Sequence, residues 1–133
     1  PYRKTKIKIK SRYFNYLLIK SKKEIFIAKR TGNDIWKNLY ELPLIETQKP
    51  LKKNAIEIIS KHISTKNFHL QSSSEEIVQL LSHRKIHFRF FEVELKNFSS
   101  FSLANTQKVK LKSLSRFAFP KTIHLVLEQK SLL

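Results

Sequence analysis

Large apolar side chains recur along this chain at two spacings, and the spacings mark its elements. Residues 12–19, Arg-Tyr-Phe-Asn-Tyr-Leu-Leu-Ile, are aromatic and rich in sheet-forming side chains, which predicts a strand. The polar segment 20–23, Lys-Ser-Lys-Lys, turns the chain into a second strand over residues 24–30, and together these predict a hairpin. Between residues 51 and 63, Leu51, Ala55, Ile58, Ile59 and Ile63 fall at helical spacing. His62 joins their face as an expected core or boundary residue, while Lys52, Lys53, Asn54, Glu57 and Lys61 take the other side. Serines 72, 73 and 74 break the chain before an apolar stretch at residues 75–81. The strongest strand, residues 85–95, carries Ile86, Phe88 and Phe90 on one parity and Phe91, Val93 and Leu95 on the other. A β-bulge near Phe90 and Phe91 would reconcile the two. Residues 107–112 read as a basic strand. Residues 120–128 read as a terminal helix, with Pro120 at its first position and Ile123, Val126 and Leu127 on one face. The class is α/β (α+β): a mixed β-sheet flanked by helices.

Composition narrows the function classes. With 133 residues and 41% hydrophobic content, the chain suits a single domain around one core. Residues 1–10 alternate Lys with Ile or Thr and read as an arm or the end of a linker. No run approaches the ~20 apolar residues of a membrane span, and no signal peptide opens the chain, so a cytoplasmic monomer is expected. The absence of Cys excludes a disulfide framework, thiolate zinc, an iron–sulfur cluster and a thiol nucleophile. Lys and Arg total 27 against 10 acids, a net charge of +17. That excess points to a polyanionic partner, because each neutralised phosphate releases condensed counterions. A coding bias toward A and T accounts for Lys outnumbering Arg but not for a single Asp, Asp34. No basic amphipathic helix with a strong apolar face stands out, which places nucleic acid ahead of a membrane surface.

Residues 31–34, Thr-Gly-Asn-Asp, form a loop that holds the only glycine and leads into residues 35–43, Ile-Trp-Lys-Asn-Leu-Tyr-Glu-Leu-Pro. Trp36, Leu39 and Tyr40 are read first as core and second as DNA-facing. His83 and His87 share a strand parity, yet no third ligand stands at a recognisable spacing, so no metal site is expected.

Several segments together resemble a family. Residues 12–17, Lys29-Arg30, residues 34–43, then Leu81-Ser-His-Arg-Lys-Ile-His87 and Phe119-Pro-Lys121 are similar, in order, to the C-terminal domain of bacterial adenine DNA glycosylases of the MutY kind. The resemblance spans nearly the whole chain and implies a Nudix-like fold that reads 8-oxoguanine. It further implies a parent enzyme whose N-terminal catalytic domain, with a helix-hairpin-helix and a 4Fe-4S cluster, excises adenine opposite 8-oxoguanine. This domain would then be non-catalytic and need no cofactor. Its partners would be duplex DNA containing 8-oxoguanine:adenine and its own catalytic domain. Leu81, Ser82 and His83 stand where the family carries its Phe-Ser-His loop, with Leu81 in place of the usual Phe. The chemistry suits Ser82. In 8-oxoguanine N7 becomes a donor and C8 gains a carbonyl, so a hydroxyl can accept from N7–H while a backbone amide meets the carbonyl. Lys37, Arg84 and Lys85 are candidate phosphate contacts.

Two other functions compete. A Nudix hydrolase needs a helix presenting several carboxylates to a divalent metal, and the helix at residues 52–61 offers only Glu57. A generic basic nucleic-acid binder would hold normal and damaged duplexes alike.

Overall fold

Two long strands run side by side through the middle of the molecule. The computed structural model describes residues 8–31 and 35–133. Strand β1 (Lys10–Ile19) starts inside the expected arm and pairs in parallel with a later strand, Arg84–Leu95, from Lys10 opposite Arg84 to Ile19 opposite Val93. The remaining elements, in chain order, are β2 (Glu24–Lys29), β3 (Tyr40–Glu41), β4 (Leu44–Thr47), α1 (Ala55–Ile63), β5 (Phe68–Ser73), β6 (Ile77–Leu81), β7 (Arg84–Leu95), β8 (Gln107–Lys110) and α2 (Lys121–Gln129). A five-stranded mixed sheet holds β4, β1, β7, β5 and β6; a second, antiparallel sheet orders β3, β2, β8. The expected mixed sheet is the five-stranded one, and the small antiparallel sheet is an addition to it.

The expected hairpin of β1 and β2 is not formed. The turn is there, with the Ser21 amide donating to the Glu24 carbonyl and one bridge between Lys20 and Ile25. The strands then part, because β4 and β7 occupy both edges of β1 while β3 and β8 occupy both edges of β2.

The expected bulge in β7 is also absent. Its pairing with β1 runs without a register shift, and the change of parity has another cause. Ile86, Phe88 and Phe90 face a core with Phe14, Tyr16 and the α2 residues Ile123, Val126 and Leu127. Phe91, Val93 and Leu95 face a second core with Leu17, Ile19 and the α1 residues Ala55, Ile59 and Ile63. A strand covered on both sides needs no phase correction. The irregularity lies instead in β5, between Leu70 and Ser72. Strands β5 and β6 follow one another along the same edge of β7, with Ser74 between them and its hydroxyl accepting from the Phe90 amide at 2.9 Å. The serine break thus falls at residues 74–76, since Ser72 and Ser73 are still in β5.

Smaller shifts have local reasons. Helix α1 begins at Ala55, with Leu51 buried ahead of it, and ends at Ser64 in the left-handed region (φ 59°). His62 is exposed and not core: it lies one residue before Ile63, rotated by about 100° from that buried position. Pro120 is the residue that precedes the first turn of α2, and residues 111–112 open a 3-10 helix, Leu111–Arg116, instead of prolonging β8.

Candidate nucleic-acid interface

The tightest turn of the large sheet joins β6 to β7. Leu81 pairs with Arg84, leaving only Ser82 and His83 in the loop. Ser82 has φ +40° and His83 is not in the positive-φ region, the sign pattern of a type II′ turn. Glycine is the low-strain choice at the first of these positions, and Ser82 occupies it with its side chain exposed. The His83 carbonyl accepts from the Lys10 amide at 3.1 Å, which ties the loop to the start of β1. Below it, His87 stacks on Tyr13 (centroids 4.3 Å apart) and its Nδ1 lies 2.8 Å from the Glu76 carboxylate. His87 is thereby committed to the base of the loop and does not pair with His83.

A second segment meets this loop. Ile35 and Trp36 join Leu81, Ser82, His83 and Arg84 around an open depression of about 550 Å³. Trp36 also has positive φ, +60°, an unusual state for a bulky side chain. Its ring stacks on Phe88 (5.8 Å) and meets Phe14 edge-on (6.0 Å), so one part is core while another lines the depression. Leu81 is half-buried and packs against the same core beneath the loop.

Buried charge holds Trp36 in place. The Arg30 Nε donates to the Ile35 carbonyl at 3.1 Å, and its Nη1 donates to Glu41 Oε1 at 3.2 Å. Tyr16 donates its hydroxyl to the same Glu41 oxygen at 2.9 Å. Burial, reinforced by the adjacent Glu41 carboxylate, raises the Tyr16 phenol far above its ordinary range and keeps it a donor. The Arg30 amide and carbonyl bond Leu39 and Asn38, closing the loop at its base.

Sequence reasoning thus places Leu81, Ser82, His83 and Arg84 in one site. Lys37 is exposed in the Trp36 turn and Lys85 is exposed on β7, but neither lines the depression. Sequence reasoning missed Ile35 as a lining residue, and Arg30 with Glu41 as the pair behind it. The available signal was an acid, Glu41, within an otherwise apolar and basic stretch. Asp34 and Gly32, in the loop before Ile35, lie outside the described residues.

The donors on α1 do not fit a divalent cation. Glu57 is its only acid and pairs with Lys61 at 3.5 Å. No group of three or more His, Asp or Glu residues suited to a metal comes together among the described residues.

A mixed sheet with a helix packed on each face, and a loop at the end of its central strands, defines an α+β class, and comparison with known proteins agrees. The chain belongs to the NUDIX domain family, whose model matches residues 15–129. It is also similar to the adenine DNA glycosylase of Buchnera aphidicola subsp. Schizaphis graminum (strain Sg), 29% identical over 136 residues and 96% of this chain. The chain spans 36% of that relative's length. Among solved structures, the C-terminal domain of mouse MUTYH, in complex with human PCNA, matches with a TM-score of 0.67 at 9% identity. That match covers 90% of this chain and 87% of the mouse domain. The Ap4A hydrolase of C. elegans matches with a TM-score of 0.63 at 11% identity, over 92% of this chain and 96% of its own. These two likenesses are of fold.

Proposed function

We propose that this chain is the lesion-reading domain of an adenine DNA glycosylase, recognising 8-oxoguanine opposite adenine without doing chemistry itself. The observation that carries the reading is the meeting of Ser82 and Trp36, both at positive φ, around one open depression. Backbone strain of this kind, about 1–3 kcal/mol per residue, persists where surrounding structure enforces it, and it gathers at binding sites. Similarity to an adenine DNA glycosylase over 96% of the chain supports the same conclusion.

The chemistry follows from the turn. Ser82 presents its hydroxyl to solvent, where it accepts from N7–H of 8-oxoguanine, a group that guanine lacks. Free amides of the turn meet the C8 carbonyl. Trp36 offers an aromatic flank next to the loop, on the side where the usual Phe is replaced by Leu81. Arg84 stands at the rim for a phosphate, and exposed Lys37 and Lys85 extend that cationic border. Excision, the 4Fe-4S cluster and the catalytic carboxylates belong to the catalytic domain of the parent, which acts on the same duplex in the bacterial cytoplasm. The donor set of α1 favours this reading over a metal-dependent Nudix hydrolase.

Trp36 is the sole tryptophan and reports on the site directly. Titration with an 8-oxoguanine:adenine duplex is expected to change its emission saturably, at the concentrations where anisotropy of the labelled duplex reports binding. Full binding by anisotropy with constant tryptophan emission would remove the depression from the interface.

A further inference from the structure

We infer that the pole of the molecule opposite the Ser82 loop is a second nucleic-acid surface, one that grips the phosphodiester backbone through lysines. At this pole the turn after β1 and the end of β8 enclose a cleft of about 640 Å³, lined by Lys22, Lys23, Glu24, Lys110, Leu111 and Lys112. Lys96 lines the depression on the neighbouring side of the same turn. Four lysines face one another across the cleft with a single carboxylate, Glu24, among them.

These lysines are not engaged in holding the fold. None of Lys22, Lys23, Lys110 or Lys112 forms a salt bridge among the described residues. Their neighbours differ. Lys108, two residues before Lys110, donates to the carbonyls of Phe98 and Ser99 and sits 4.7 Å over the Phe98 ring. Lys130 pairs with Glu92 at 3.4 Å. The turn that carries Lys22 and Lys23 is fixed locally and to the end of β8: the Ser21 hydroxyl accepts from the Lys23 and Glu24 amides, and the Leu111 amide donates to the Lys23 carbonyl at 2.8 Å. Lys110 stands opposite Glu24 in the β2–β8 register. Like charges fixed this closely gain most from an extended polyanion, which neutralises several at once and releases its counterions.

The same place is poorly made for a membrane. The exposed large apolar residues of the described chain are Ile9, Ile56, Ile77, Val78, Leu80 and Leu125, and none of them lines the cleft or the depression beside it. Leu111, the one apolar residue of the lining, is half-buried, and without an exposed large apolar group to insert, basic residues hold a lipid surface weakly. The cleft is also remote from the lesion loop. The ten paired residues of β1 separate the two ends of the sheet by about 30 Å. This surface therefore acts on backbone alone, whatever the base opposite Ser82.

The test uses the 133-residue chain and an undamaged duplex, with affinity measured by anisotropy from 50 to 200 mM salt. The variant is K22Q/K23Q/K110Q/K112Q; the control, K49Q/K52Q/K53Q/K66Q, removes the same net charge elsewhere, and thermal melting establishes that both are folded. The slope of log affinity against log salt is expected to fall by about 2 to 3 in the variant, at about 0.9 for each phosphate no longer neutralised. In the control the slope is expected to fall by less than about 1. An equal fall in both would reduce the effect to net charge and overturn the inference. An unchanged slope would overturn it as well, and so would a variant that no longer binds phosphatidylserine vesicles yet binds the duplex as before. The ratio of lesion to undamaged affinity is expected to stay constant in this variant, so the lysine pole and the Ser82 reading fail independently.

Discussion

Ser82 and Trp36 hold backbone angles that glycine would adopt at lower cost. A non-glycine residue in the left-handed region costs about 1–2 kcal/mol, and two such residues border one depression. Ser82→Gly should relieve the strain at the loop and raise stability by about 0.5–1 kcal/mol in urea denaturation. The same change removes the hydroxyl, so lesion preference should fall as stability rises. A destabilised Ser82→Gly protein would mean that the hydroxyl serves the fold. Positive φ left no trace in the sequence, because the chain's single glycine is Gly32 and none marks either position. The Ser-His pair was legible only through its company, the apolar strand on each side and the resemblance of the whole segment.

Elements follow the same division between what pattern reveals and what packing decides. The two parities of β7 were visible as letters, but they arise from two cores on opposite faces and not from a bulge. Period-2 reasoning assumes one buried face, whereas β7 is covered on both. The β1–β2 hairpin failed for a related reason: a short polar turn proves adjacency in sequence, while edge occupancy by β4, β7, β3 and β8 decides partnership. Helix α1 was read well because Ala55, Ile59 and Ile63 keep strict helical spacing. The Trp36 segment depends on the Arg30–Glu41–Tyr16 network, in which both charged side chains are only 9% exposed. Arg30→Met leaves the Glu41 carboxylate buried without this cation and removes the bond to the Ile35 carbonyl. A destabilisation of about 3 kcal/mol is expected, read as a lower melting temperature, together with a red-shifted Trp36 emission as the turn loosens. Unchanged emission and melting would show that the turn is held by other interactions.

Across the whole molecule, a net charge of +17 announces a polyanion without saying where it sits. The structure sorts the cations by what they hold. Arg12 is bound to Glu46 at 2.7 Å, Arg89 to the Leu51 carbonyl at 2.6 Å, and Lys108 to two carbonyls, whereas Arg84 and four lysines of the far pole line open surfaces. On the proposed reading, lesion recognition at one end of β1 and β7 and backbone binding at the other would make selectivity and salt dependence separable properties. The most direct measurement is a competition between an 8-oxoguanine:adenine duplex and its guanine:adenine counterpart for this chain at moderate salt, repeated with Ser82→Ala. A preference of about 5- to 150-fold for the lesion duplex, collapsing toward unity in the variant, is the expected result, matching about 1–3 kcal/mol for one exchanged donor. Equal affinity for the two duplexes, or a preference that survives Ser82→Ala intact, would contradict lesion reading by this loop.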